Sequence, residues 1–412
     1  MKYIVDGDIV LSHPPDGPLA AEIKAFAAWA REQGYARYSR YRKVLLASCF
    51  SRWLKKQAIR LRGISSEHTS RYLRSRARRV RRRKGDAAAL TAFLEFLRRR
   101  DILRAEQRPS PRVTAVERTT QAFAQYLQHA RALAPATVVH YLPFIHRFLT
   151  DRFGHGPVRL SRLRARDVAR FVQRQAPRVH VKEAKVLTTA LRSFLHYARS
   201  RGDTALDLAA AVPSVANWSM SSIPRAIPAE SVRRLLASID RRTTRGRRDY
   251  AILLLLARLG LRASEVALLE LDDLDWSTGQ ITVRGKRGRI TALPLPADAG
   301  AAIAAYLRHA RPRSTSRRVF LRAHAPNGGF AGPSAIACVV RYRLERAGLP
   351  APTKGAHQFR HALATQMLHA GASLTEIGEI LRHRSPETTM IYAKVDLDAL
   401  RTLALPWPGG AR

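Results

Sequence analysis

The feature that most narrows what this chain can fold into is a helical pattern that occurs twice in its first two hundred residues. Apolar side chains recur at three- and four-residue spacing around Leu45, Leu46, Cys49, Phe50, Trp53 and Leu54, and again around Tyr141, Leu142, Ile145, Phe148 and Leu149, which is the spacing of amphipathic helices. Each helix closes alike, Arg52-Trp53-Leu54 against Arg147-Phe148-Leu149. Upstream, Ala25-Phe26 and Trp29 correspond to Ala122-Phe123 and Tyr126; downstream, Ser70-Arg71-Tyr72-Leu73 corresponds to Ala169-Arg170-Phe171-Val172. Phe93-Leu94-Glu95-Phe96 matches Phe194-Leu195-His196-Tyr197, and the offset between partners stays between 95 and 101 residues. Two diverged copies of one helical domain of about a hundred residues account for this pattern. The rival account is that any two amphipathic bundles share it.

A Pro- and Ser-containing stretch from Ala211 to Pro228 then breaks the periodicity and reads as a linker. Beyond it, helical patterns at Ser231–Ile239 and Asp249–Leu259 lead into Gln280-Ile281-Thr282-Val283-Arg284, a basic tip Gly285-Lys286-Arg287-Gly288-Arg289, and Ile290-Thr291-Ala292-Leu293-Pro294-Leu295. Alternation on both sides of a Gly-containing tip predicts a β-hairpin. Further helices are predicted at about 333–347, 358–370, 373–382 and 386–393, with a short one near 396–404. The expected organisation is a helical domain at 1–108, a second at 109–204, a linker at 205–226, a mixed domain at 227–405 and a tail at 406–412. The fold class is mainly α and multidomain, with one small antiparallel sheet.

Charge selects the partner. The chain carries 73 Lys and Arg against 31 Asp and Glu, a net charge of +42, yet is 46% hydrophobic, so it has material for packed cores and is no disordered basic tail. Such an excess attracts a polyanion, of which nucleic acid is the usual one. Arg71, Arg74, Arg76, Arg78, Arg79, Arg81, Arg82, Arg83 and Lys84 crowd into one run; such a run repels itself unless phosphates neutralise it, and it specifies affinity rather than base sequence. Arg287 and Arg289 at the hairpin tip join it as candidate DNA contacts. The longest apolar run, Ala251 to Ala257, is too short to span a bilayer, and the first residues have no signal-peptide pattern. Cys49 and Cys338 form no metal or disulfide motif. A cytoplasmic, membrane-free protein is expected.

Six residues of the second half carry the chemistry by type and order. Arg262 sits in Leu259-Gly260-Leu261-Arg262-Ala263-Ser264-Glu265; Lys286 lies at the hairpin tip; His357 and Arg360 share His357-Gln358-Phe359-Arg360-His361; and Leu381-Arg382-His383 precedes Thr388-Thr389-Met390-Ile391-Tyr392. Tyr392 is an oxygen nucleophile, weak at its free pKa of about 10 unless neighbouring cations favour the phenolate. Arg262 and Arg360 offer planar, permanently charged forks that match two phosphate oxygens and stabilise the charge that builds up in a transition state. His357 and His383 titrate near neutrality and can donate to phosphate or assist the tyrosine proton. Glu265, three residues after Arg262, either orients that arginine or caps a structural network.

This arrangement resembles the tyrosine recombinase (phage integrase) family, with its Gly-Leu-Arg-x-x-Glu box, hairpin lysine, His-x-x-Arg-His box and His-to-Tyr box in order. The resemblance is close over residues 227–405 and looser over about 115–204, which is similar to the family's SAM-like core-binding domain. Phe359 stands where Leu is commoner, and Arg382 where the family usually has Gly. The resemblance implies a catalytic domain at 227–405 and strand cleavage by transesterification to a 3′-phosphotyrosyl link on Tyr392. It also implies Lys286 as general acid for the departing 5′-hydroxyl, with no cofactor, no metal and no ATP. Double-stranded DNA is the implied partner of a chain that is monomeric in solution and tetrameric on two paired sites, with the apolar segment from Asp396 to Leu405 docking on a neighbouring copy. Integration or excision of a mobile element is the expected role.

Two other functions remain open on the sequence: relaxation of supercoils by a type IB topoisomerase, which would use nearly the same residues, and a non-catalytic architectural DNA-binding protein. Other chemistries fit less well. Gln358 stands where a zinc-peptidase His-Glu-x-x-His box needs Glu. Asp272, Asp273 and Asp275 read as a solvated turn rather than a metal cluster, and the stretch from Gly279 to Lys286 lacks the spacing of a phosphate loop.

Overall fold

The computed structural model describes residues 3–81, 83–104, 113–154, 156–215, 224–285, 288–351, 353 and 355–395. Chain contacts divide it into two compact units, residues 107–222 and the remainder.

In the larger unit, the N-terminal part opens with an antiparallel hairpin of β1 (Tyr3–Asp6) and β2 (Ile9–Leu11). Four helices follow: α1 (Ile23–Glu32), α2 (Arg37–Lys56), α3 (Ser66–Ala77) and α4 (Asp86–Arg99). The hairpin corrects the all-helical reading of the first two hundred residues. Runs of three and four residues are too short to register as a period, yet Val5, Ile9 and Leu11 are buried in the same core as Phe26, Phe50 and Phe93. Gly7 supplies the left-handed turn with φ of 53°. At the end of α1, Asn327 of the C-terminal part donates its backbone N–H to the Gln33 carbonyl at 2.9 Å. It leaves no room for a side chain at Gly34, where φ is 77°.

The smaller unit is helical: α5 (Ala115–His129), α6 (Pro135–Phe153), α7 (Ala165–Gln175) and α8 (Val181–Ser200). Thr114 caps α5 in a reciprocal box with Glu117. Phe123, Phe148, Phe171 and Phe194 fill its core.

The C-terminal part of the larger unit starts with α9 (Ala229–Ala237), α10 (Thr244–Leu259) and α11 (Ala263–Leu268). A three-stranded antiparallel sheet follows, β3 (Leu274–Asp275), β4 (Gln280–Arg284) and β5 (Ile290–Pro294), in that order, with Val283 opposite Thr291. Then come α12 (Ala297–His309), an Ala-rich helix that the sequence reading did not single out, α13 (Pro333–Arg346), α14 (His357–His369), α15 (Leu374–Ile380) and α16 (Glu387–Met390). A 3-10 turn from Ile391 to Val395 carries Tyr392. The apolar run of α10 is buried on every side, which is why it shows little helical alternation. Asp273 corrects the solvated-turn reading: it is 3% exposed and accepts from Arg284 Nη2 at 2.6 Å and from the Glu270 backbone at 2.8 Å. Among the described residues, no helix is long and apolar enough to cross a membrane. The expected helix at 396–404 and the tail lie outside the described residues.

Candidate active site

The site is built where three chain ends meet. Helix α10 stops at Gly260, whose φ of 54° turns the chain, and a side chain there would meet Leu381 Cδ2 at 2.8 Å. The bare glycine therefore lets the end of α15 approach. Two residues on, Arg262 begins α11: its backbone N–H donates to Glu265 Oε2 at 2.8 Å and its Nη1 to Oε1 at 2.7 Å. Glu265 is 3% exposed and also accepts from Arg382 Nη2 at 3.0 Å. Arg382 in turn offers its own carbonyl to Arg262 Nη2 at 3.2 Å. One buried carboxylate thus fixes two guanidiniums, and both candidate roles of Glu265, orienting Arg262 and closing a network, are features of the same bonds.

Arg360, on the first turn of α14, is buried and reaches across this junction. Its Nη1 donates to the Gly260 carbonyl at 2.7 Å and its Nη2 to the Leu381 carbonyl. Burial, then Arg262 and Arg382, lower its pKa to about 10, so it remains a cation at neutral pH. Each terminal nitrogen keeps a second N–H for a ligand. His383 follows Arg382 and bonds through Nδ1 to Thr389 Oγ1 at 2.7 Å. With the hydroxyl donating, the proton of the neutral ring sits on Nε2. Burial, then Arg360 and Arg262, pull the His383 pKa down to about 4.

Tyr392 is 1% exposed, and its hydroxyl lies 2.9 Å from His361 Nδ1. Burial pushes the phenol up to about 12, against the opposing pull of Arg360, so it is protonated at pH 7. Burial first, and then His357 and Arg360, hold His361 below the usual histidine value. A neutral His361 can accept the phenol proton. The His383 ring lies parallel to that of Tyr392, with centroids 6.4 Å apart.

The structure therefore brings together Arg262, Arg360, His383 and Tyr392. His357 sits exposed one turn before His361, with ring centroids 6.1 Å apart. Lys286 and Arg287 lie outside the described residues, as does Arg82. Arg289 lines a cleft of about 270 Å³ with Arg262, Glu265, Arg382 and Arg384. Arg71, Arg74, Arg78, Arg79, Arg81, Arg83 and Lys84 are exposed on α3 and the turn after it. Phosphates are not the sole counter-charge within reach of this run. Asp86, buried at the start of α4, receives Arg76 at 3.4 Å and Arg42 at 3.3 Å. His361 and Thr389 were the residues missed. Both lie inside quoted motifs, and the His357 to His361 spacing drew attention only as a failed zinc box. Among the described residues, no group of three or more His, Cys, Asp or Glu is placed to hold a metal ion.

A family model described as the phage integrase family matches residues 225–398, and one described as the phage integrase N-terminal SAM-like domain matches residues 120–202. The chain is 56% identical to the integrase/recombinase y4rA of Sinorhizobium fredii over 412 residues, the whole of both chains. It is 28% identical to the tyrosine recombinase XerA of Pyrococcus furiosus over 281 residues, 68% of this chain and 90% of the relative. Its fold is similar to a crystal structure of the XerH site-specific recombinase bound to a palindromic difH substrate, with a TM-score of 0.54 and 20% identity over 70% of this chain and 84% of the other.

Proposed function

The chain belongs to the phage integrase family of tyrosine recombinases and is a site-specific DNA recombinase, and from that premise we propose that it cuts and rejoins strands through a 3′-phosphotyrosyl link on Tyr392. The observation that carries the reading is the 2.9 Å contact between the Tyr392 hydroxyl and His361 Nδ1, beside a cluster of three arginines and His383. The Tyr392 oxygen attacks the scissile phosphorus while its proton passes to His361 Nδ1. The bond from phosphorus to the 5′-oxygen breaks, and that oxygen takes up a proton, for which Lys286 is the proposed donor. Arg262, Arg360 and His383 Nε2–H hold the non-bridging oxygens, where charge accumulates. Rejoining runs the same transfers backwards, so bond energy is kept and no nucleotide is consumed.

His357, one turn away on the same helix, is proposed to complete the phosphate pocket, and Arg289 to contact the backbone of the same duplex. The working form is proposed to be four copies on two paired sites, assembled from monomers in the cytoplasm, in the integration or excision of a mobile element. The test is a plasmid carrying two direct copies of the element's end, compared with one carrying a single copy. Loss of the intervening segment, with no relaxation of the single-site plasmid, is expected. Relaxation of the single-site plasmid without exchange would instead make the protein a topoisomerase.

A further inference from the structure

The SAM-like match begins at residue 120, but the structure carries the same arrangement a second time, upstream. In each copy a four-helix order is interrupted by a 3-10 turn before the third helix, Leu61–Gly63 in one and Leu160–Arg162 in the other. The second helix packs on the fourth in both. The aromatic cores agree ring by ring. Phe26 and Phe93 are 4.6 Å apart where Phe123 and Phe194 are 5.2 Å apart. Trp29 and Phe96 are 5.6 Å apart where Tyr126 and Tyr197 are 4.8 Å apart. Trp53 and Tyr72 are 5.7 Å apart where Phe148 and Phe171 are 5.1 Å apart. Unrelated bundles share amphipathic spacing, but they have no reason to share a set of cross-helix ring pairs.

The surface is duplicated along with the core. Arg71 on α3 and Arg79 and Arg83 in the turn into α4 correspond, at a constant offset of 99 residues, to Arg170 on α7, Arg178 in the 3-10 turn after it and Lys182 on the first turn of α8. All six are exposed. The upstream band is denser, with Arg74, Arg78, Arg81 and Lys84 also exposed. Residues 71–84 contain no acidic side chain, and buried Asp86 engages Arg76 but none of Arg71, Arg74, Arg78 or Arg79.

We infer that residues 23–104 are a second copy of the SAM-like domain and that the band of Arg71, Arg74, Arg78 and Arg79 is a second duplex-DNA-binding surface. It grips phosphates without reading bases and so extends the footprint beyond the strand-exchange site. Only the choice of duplex DNA as the polyanion rests on the recombinase reading. A packed domain that places one sign of charge on one face gains from releasing the counterions condensed on a duplex, and each neutralised phosphate adds about 0.9 to the slope of log affinity against log salt.

The test uses the full chain and a mixed-sequence duplex. Replacing Arg71→Gln, Arg74→Gln, Arg78→Gln and Arg79→Gln together is expected to lower that salt slope by about 3 to 4 while covalent adduct formation at Tyr392 on a nicked suicide duplex survives. An unchanged slope with the adduct intact overturns the second surface; absence of any adduct from the unsubstituted chain overturns the recombinase reading instead. Should the fourfold variant not fold, a photo-crosslinking residue at exposed Ser75, within the band, is compared with one at exposed Glu95 on α4. Labelled duplex is expected on Ser75 and not on Glu95. Equal labelling, or labelling at Glu95 alone, contradicts the inference.

Discussion

Arg382 donates to Glu265 at 3.0 Å from a backbone held at φ of 55°, a left-handed position that glycine occupies without strain and arginine does not. The two residues are 117 positions apart. The same Glu265 carboxylate orients Arg262, so the strained residue shares its partner with the arginine proposed to hold the scissile phosphate.

Arg382→Gly tests whether that sharing matters. Relief of the left-handed conformation returns about 1 kcal/mol, whereas breaking a buried ion pair from one side costs about 3–5 kcal/mol; here Glu265 keeps both bonds to Arg262. The expected result is a loss of about 1–3 kcal/mol in urea unfolding, a roughly tenfold slower single-turnover cleavage and DNA affinity unchanged within a few fold. A variant that is more stable and cleaves as fast would show that Arg382 merely ends α15.

His361→Phe keeps the ring volume and removes the acceptor. Cleavage is expected to fall about 10²-fold, the usual scale for a lost acid or base. In the unsubstituted enzyme, the groups facing His361 are His357 and Arg360 on its own helix and Tyr392 and His383 from the elements packed against it. Its depressed pKa keeps it able to accept at pH 7, and cleavage declines only as pH falls through that depressed value. The variant's pH–rate profile is expected to lack this acid limb. Faster cleavage by His361→Phe would make the contact a latch on the nucleophile instead of a proton acceptor.

How much of this was legible beforehand depends on the range of the interaction. Arg262, Arg360, His383 and Tyr392, which the structure brings together, were legible as candidates because they stand in short local boxes whose order resembles the family's. The β4–β5 hairpin was legible from alternation around a glycine tip. That Arg382 is the second partner of Glu265 was not, because it lies beyond α15, 117 residues away, and no pattern near it marks a left-handed arginine. Asp273 was misread for a similar reason: its burial depends on Arg284, eleven residues away on the neighbouring strand. The β1–β2 hairpin is shorter than any period can resolve.

Stability should follow the two half-buried histidines. His383, drawn down to about 4, and His361, also lowered, bind protons less readily folded than unfolded. The contribution of His383 is fully present above the unfolded value of about 6.5 and is lost as pH falls from there towards 4, and that of His361 is lost in the same direction. The thermal midpoint is expected to drop across that window and to drop less in His383→Gln. An identical pH dependence in the variant would remove His383 from the account.

Arg262→Lys is expected to damage cleavage nearly as much as Arg262→Ala, by about 10²–10³ in rate. A single ammonium cannot satisfy both Glu265 and two phosphate oxygens as the fork does. Near-normal cleavage by the lysine variant would show that charge alone suffices.

The central claim is that the Tyr392 oxygen becomes the covalent link to DNA, and the most direct measurement is adduct formation on a nicked suicide duplex by the unsubstituted chain and by Tyr392→Phe. The unsubstituted chain is expected to yield a denaturation-resistant adduct whose DNA-bearing peptide contains residue 392. The phenylalanine variant is expected to bind the duplex within a few fold and yield none. An adduct that persists in Tyr392→Phe, or that maps to another residue, would contradict the account.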